Sequence, residues 1–189
     1  VIGPDDPVWA PHGSTALDYE LELACVVGKA ARDLPEDGSA LECLAGFTIM
    51  NDWSARDIQR AEMAVGLGPS KSKDFATSLG PRIVPFSELR DVYRDGRLHL
   101  VMTATVNGKQ YSSGHAGTMY WTWPKLLAHA SRNTELRPGD VLGSGTVGTG
   151  CILELTPEAV GGWLNPGDVV ELTIERLGTL RNTVTERPT

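Results

Sequence analysis

The sequence predicts a β-rich α+β fold, with strands as the frame and a few short helices between them. Three observations point there. The 189 residues include 21 glycines and 12 prolines, a turn content that divides a chain into short extended runs. The stretches Leu17 to Gly28 and Leu98 to Val106 are apolar and β-prone, and Asn107-Gly108 after the second is a two-residue hairpin signal. Two similar segments, Arg137-Pro138-Gly139-Asp140-Val141 and Asn165-Pro166-Gly167-Asp168-Val169, place proline and glycine as a type II turn requires, each before a strand.

Taken in order, Val1 to Leu17 reads as an irregular lead-in rich in proline and glycine, and Asp18 to Gly28 as the first strand. Lys29 to Gly38 is turn-like, Ser39 to Cys43 a short helix, and Gly46 to Met50 a buried strand. Ser54 to Met63 reads as a helix, with Asp57 in its first turn, where a carboxylate suits the helix dipole. Gly66 to Lys73 reads as a flexible glycine-rich loop. Phe75 to Val84 is extended, with Pro81 marking an edge or a strand start. Leu98 to Val106 and Lys109 to Ser112 form the hairpin. Thr122 is a helix cap and Pro124 sits in the first turn. Leu126, Leu127 and Ala130 form the inward stripe of a helix that stops near Asn133. Val169 to Glu175 is a strand with Glu171 and Glu175 on its surface. His99 reads as a strand residue and His129 as a helix residue, both structural. Trp9, Trp53, Trp121, Trp123 and Trp163 read as core and interface residues.

A formal net charge of -7 argues against nucleic acid and against an acidic membrane surface as partners. No apolar run approaches a membrane helix in length, and no signal peptide is visible. The three cysteines, Cys25, Cys43 and Cys151, show no metal or redox spacing. They read as small buried hydrophobes in a reducing compartment, the cytoplasm. Length and composition fit one domain over residues 1–189. Because the sequence opens on Val1 without Met, an upstream segment is expected.

Within the first strand, Glu20 and Glu22 alternate with Leu21, Leu23 and Cys25, so the two carboxylates share one face. Adjacent carboxylates repel and lose hydration on burial, and a divalent cation removes both penalties. Asp52, just past the second strand, can supply a third carboxylate. No His or Cys lies nearby, which favours a hard cation such as Mg²⁺ or Ca²⁺. In a helical turn Arg56 and Gln59 fall on the face that follows Asp52. Spacing alone also allows a solvated strand edge at Glu20 and Glu22, and both readings stand at this point. Gly143 to Gly150 is too glycine-rich for a strand interior and suits a substrate cradle of backbone N–H groups. It lacks the Gly-Lys-Ser/Thr ending of a nucleotide loop.

Several segments together resemble the fumarylacetoacetate hydrolase family. They are Asp18-Tyr19-Glu20-Leu21-Glu22, Met50 to Gln59, Lys73 to Pro81, Met119-Tyr120-Trp121-Thr122 and Leu136 to Thr146. The run Asn51-Asp52-Trp53-Ser54-Ala55-Arg56-Asp57-Ile58-Gln59 is the most specific. The resemblance implies a mixed β-sandwich roll of the fumarylacetoacetase C-terminal type, usually a homodimer, holding Mg²⁺ or Ca²⁺, with Mn²⁺ as a substitute. It implies Glu20, Glu22 and Asp52 as metal ligands and Arg56, Gln59, Lys73 and Thr146 as substrate contacts. Lys73 and Arg56 are then catalytic, with Glu154 orienting a general-base His. That His and a fourth carboxylate ligand belong upstream of Val1. Neither His12 nor His115 matches, and Met63 stands where the family's true fumarylacetoacetases bind substrate with a Tyr.

The implied activity is hydrolysis of a C–C bond in a β-diketo acid, with water attacking one carbonyl and a metal-stabilised enolate leaving. Lys73 and Arg56 suit it because an anionic substrate and its oxyanion need positive charge. Decarboxylation or isomerisation of a 2-oxo acid at the same site is the alternative, and a non-catalytic metal-binding domain is the third. The expected partners are a small anionic diketo or oxo acid and a second copy of the chain.

Overall fold

The computed structural model of the chain describes residues 1–66 and 68–188. The turn signals cut these residues into short strands. β1 (Pro7–Val8), β2 (Leu17–Asp18), β3 (Leu21–Val27), β4 (Ala31–Arg32), β5 (Leu44–Asn51), β6 (Ser54–Ala55) and β7 (Ser78–Leu79) come first. Then follow β8 (Tyr93–Arg94), β9 (Arg97–Leu98), β10 (Val101–Val106), β11 (Lys109–His115), β12 (Glu135–Leu136), β13 (Val141–Gly143), β14 (Val169–Ile174) and β15 (Gly178–Val184). The α-helices are α1 (Arg56–Met63), α2 (Trp123–Ser131) and the single turns α3 (Ile152–Leu155) and α4 (Pro157–Val160).

Five strands run in the order β1-β15-β14-β10-β11 and four in the order β13-β3-β5-β7. The pairing is antiparallel except where β1 lies parallel to β15. Register stacks Leu23 beside Ile49 and Cys25 beside Phe47, so strand alternation sends one apolar face of β3 and β5 inward. There it meets Met102, Ala104, Leu172 and Leu180 of the larger sheet in a shared core. The opposite face of β3, with Glu22, Ala24 and Val26, is also closed to water. The chain after β13 runs along the β3 edge, where Ser144 N donates to Leu23 O and Val147 N to Leu21 O. This strand-rich frame with few short helices is the fold class the sequence predicts. No helix among the described residues is long and apolar enough to cross a membrane.

Both Pro-Gly turns form as read. Gly139 and Gly167 take φ of 95° and 99°, which L side chains avoid, and Asp140 and Asp168 accept the Arg137 and Asn165 N–H groups. Thr122 caps α2 by accepting from Lys125 N. The buried positions of α2 are Trp123, Pro124, Leu127, Ala128 and Ser131, with Leu126 and Ala130 flanking them half-buried. Trp53 and Trp123 are core residues, whereas Tyr120 and Trp121 stand exposed.

Other boundaries differ for local reasons. The first strand breaks at Tyr19-Glu20. Tyr19 turns inward to bond Ser112 Oγ (2.6 Å), and Glu20 N leaves the ladder for Asn51 Oδ1 (2.9 Å). The strand expected from Leu98 starts at Val101, because Leu98 belongs to the β8–β9 hairpin on an Asp95-Gly96 turn. His99 therefore lies between strands. Within Phe75 to Val84 the only strand is Ser78–Leu79, and Val84 bridges back to Phe47. The lead-in is not wholly irregular, since it contains β1. Of the loop read over Gly66 to Lys73, Leu67 lies outside the described residues, and Lys71 to Phe75 form a turn.

Candidate active site

The break at Tyr19-Glu20 builds the site. It offsets β2 from β3 so that β2 pairs with β6, Asp18 opposite Ser54, while β3 pairs with β5. Glu20 and Glu22 then meet Asp52, which sits at the corner between β5 and β6. One carboxylate oxygen from each lies within 4.8 Å of the other two. Glu20 and Glu22 are buried and Asp52 is half-buried, so the solvated strand edge is not what forms.

Two cations serve this cluster. Arg56, the first residue of α1, is buried. It bonds Asp18 Oδ2 through Nε (2.8 Å), and its Nη1 reaches Glu20 Oε1 (2.8 Å) and Gln59 Oε1 (2.9 Å). Its Nη2 is buried without a hydrogen-bond partner. Lys73 Nζ bridges Glu20 Oε2 (2.5 Å) and Asp52 Oδ2 (2.8 Å). Gln59 turns its oxygen to Arg56, leaving its NH₂ as the group it can offer a ligand.

The glycine-rich loop closes one side. Gly145 N donates to Glu22 Oε2 (3.0 Å). Gly143 is required by close approach, since a Cβ there would strike Glu22 Oε2 and Met50 Cε. Thr146 does not join the carboxylates. It lines a cavity of about 290 Å³ with Leu23, Met102, His115, Trp121 and Gly145. Glu154 is exposed on α3, a helical turn rather than a strand, and its Oε2 accepts from Thr149 N (2.6 Å). Among the described residues no histidine bonds Glu154. His99 and His115 instead stack edge to face, with centroids 5.5 Å apart.

Sequence reasoning singled out no role for Asp18. Its carboxylate accepts from Arg56 Nε, Ile152 N and Leu153 N, so it pairs the arginine and caps α3 in one stroke. The signal was present as a third acidic residue two positions before Glu20. The Gly145 donor is a backbone group and carries no side-chain signature.

The cluster holds more negative charge than its two cations balance. Burial, then the neighbouring charges of Glu20 and Asp52, pushes Glu22 up to about 8. Burial likewise raises Asp52, against the bond from Lys73, and raises Asp18, against Arg56. Three converging oxygen donors, one held protonated at neutral pH for want of positive charge, fit a hard divalent cation.

A family model described as Fumarylacetoacetate (FAA) hydrolase C-terminal matches residues 1–185. The chain is 36% identical over 187 residues to the 2,4-didehydro-3-deoxy-L-rhamnonate hydrolase of Sphingomonas sp. (strain SKA58), covering 97% of this chain and 61% of that protein. It is 33% identical over 184 residues to the mitochondrial oxaloacetate tautomerase fahd2 of Xenopus laevis, covering 97% and 54%. The structure of a fumarylacetoacetate hydrolase from psychrophilic Exiguobacterium antarcticum superposes with a TM-score of 0.82 at 33% identity, covering 98% of this chain and 62% of that one. The chain thus spans just over half to just under two thirds of these relatives. The acidic cluster on a broken strand, the frame around it and this agreement along nearly the whole chain place the protein in the fumarylacetoacetate hydrolase family.

Proposed function

We propose that this chain carries the catalytic site of a divalent-cation-dependent hydrolase that cleaves the C–C bond between two carbonyls of a small anionic β-diketo acid. The convergence of Glu20, Glu22 and Asp52 beside Lys73 and Arg56 carries the reading. The three carboxylates would hold Mg²⁺, Ca²⁺ or Mn²⁺, which supplies Lewis acidity toward the diketone oxygens when bound. In the reaction a water oxygen adds to one carbonyl carbon. The C–C bond then breaks and its electron pair leaves as an enolate, which takes up a proton. Arg56 supplies a fixed positive charge beside the carboxylates for an anionic substrate. Lys73 offsets the negative charge that develops on oxygen, and the Gln59 NH₂ orients the substrate. Thr146, in the cavity that borders Gly145, is the loop's side-chain contact for the substrate in this reading.

One observation favours a second reading. Glu154 is committed to Thr149 N with no imidazole beside it among the described residues. Tautomerisation or decarboxylation of a 2-oxo acid uses the same charge stabilisation without an activated water. The deciding assay incubates the protein with acylpyruvates and Mg²⁺ or Mn²⁺. Two carboxylic products in equal amounts, lost on chelation, are expected. CO₂ release, or α-proton exchange without cleavage, selects the second reading. Asp52→Ala is expected to weaken cation binding at least tenfold by calorimetry, and unchanged binding would remove the site.

The reading includes a homodimer. Tyr120 and Trp121 form an edge-to-face pair on the surface, 80% and 53% exposed, the kind of anchor that interfaces bury. Light scattering at micromolar concentration is expected to give twice the chain mass, and Trp121→Ala to shift it toward the monomer. The three buried free thiols support the cytoplasm as the compartment.

A further inference from the structure

The last turn of α1 carries a carboxylate that the reading above leaves unused. Glu62 is half-buried, and its oxygens accept four hydrogen bonds from one short turn. Oε2 takes Ser70 N (2.9 Å), Ser72 N (3.3 Å) and Ser72 Oγ (2.6 Å), and Oε1 takes Lys71 N (2.6 Å). A negative charge at a helix C-terminus is normally disfavoured. Here the converging donors more than offset that, holding the carboxyl down at about 2. Among the described residues the turn's other hydrogen bonds include Ala55 N to Ser72 O, Lys73 N and Asp74 N to Ser70 O, and the Lys71–Asp74 ion pair (2.8 Å). Lys73 follows directly, and its ammonium stands where a cation between Glu20 and Asp52 would stand.

An ammonium on a four-carbon stem reaches one place only when its backbone is held. Helix α1 thus fixes both cations of the site, Arg56 directly from its first turn and Lys73 indirectly from its last. We propose that Glu62 is a positioning residue for Lys73. Its carboxylate locks the 70–72 turn so that the Lys73 ammonium serves Glu20 and Asp52 as a resident counter-charge, which an incoming divalent cation must displace or share. The cation part of this proposal rests on the cation site inferred above. The positioning part does not.

Two measurements test it. The first needs neither cation nor substrate: acetic anhydride labelling of Lys73 followed by mass spectrometry, with exposed Lys125 as the internal reference. Lys73 in the parent is expected to react slowly, and Glu62→Ala to speed it about fivefold or more while the fold persists by circular dichroism. Unchanged Lys73 labelling in a folded Glu62→Ala protein overturns the proposal. Should Glu62→Ala fail to fold, Ser72→Ala removes only the hydroxyl bond and makes the same comparison, with about a twofold change expected. The second is Mn²⁺ calorimetry. Lys73→Met is expected to tighten binding about tenfold by removing a like charge. Glu62→Ala is expected to tighten it severalfold in the parent and not at all in Lys73→Met. An equal Glu62 effect in both backgrounds overturns the route through Lys73. If Mn²⁺ binding ignores Asp52→Ala, the cation-site reading fails, and the labelling result alone decides the role of Glu62.

Discussion

Asp18→Ala is expected to destabilise the protein by about 3–5 kcal/mol, the cost of stripping one partner from a buried ion pair. The Asp18 side chain is fully buried and that of Arg56 nearly so. Burial raises the Asp18 carboxyl and works against the Arg56 charge, which Asp18 and Glu20 more than restore. They persist as a pair because Asp18 also takes the Ile152 and Leu153 N–H groups and Arg56 also reaches Glu20, so each charge has an opposite one and the carboxylate oxygens are satisfied. Alanine leaves Arg56 leaning on Glu20 alone and leaves the start of α3 uncapped. Urea unfolding measures it, and a loss below about 1 kcal/mol would mean that Glu20 suffices as partner. Asp18→Ala with Arg56→Leu is expected to cost less than the sum of the two, since neither charge is then stranded.

The second large effect is a pH dependence. Apparent affinity for Mg²⁺ or Mn²⁺ is expected to rise about tenfold per pH unit from pH 6 and to level off above about 8. Cation binding must expel the proton that Glu22 keeps up to about 8. The sign for stability follows from the same shift. Between about 4.5 and 8 the cation-free folded protein holds a proton that the unfolded chain has released. Its contribution to stability is therefore fully present below 4.5 and is lost as pH rises toward 8, at up to about 1.4 kcal/mol per unit. Asp18 and Asp52 are raised too and act in the same direction. Added cation should thus raise the melting temperature more at pH 8 than at pH 6. Glu22→Gln should flatten the affinity profile, and a profile as steep as the parent's would locate the proton elsewhere.

Strand alternation and the end of β5 were enough to bring Glu20, Glu22 and Asp52 into one reading. The β3–β5 register sets Leu21 against Asn51, one step from Asp52. Helical spacing after Asp52 singled out Arg56 and resemblance singled out Lys73, and both lie on the cluster. What was illegible depends on long-range matching. The break at Tyr19 needs Ser112, the cap at Asp18 needs Ile152, and Glu22 needs a backbone N–H from Gly145. Neither a backbone donor nor a distant partner leaves a mark in local composition. Asp95-Gly96, by contrast, is a hairpin signal as plain as Asn107-Gly108, and it moved the start of β10.

The separation of 123 positions from Glu22 to Gly145 also sets an order of events during synthesis. At about 5–20 residues per second, a ribosome exposes the Glu20–Glu22 strand roughly 6–25 s before the loop that completes it. Once β5 has followed, β3 has it on one side and an open edge on the other until β13 emerges. Such an edge is a template for wrong partners. The two carboxylates guard it, because charged side chains along an unpaired strand oppose association. Glu20 and Glu22, two of the three converging carboxylates of the finished protein, are thus also placed, earlier in its life, to act as gatekeepers of a nascent chain.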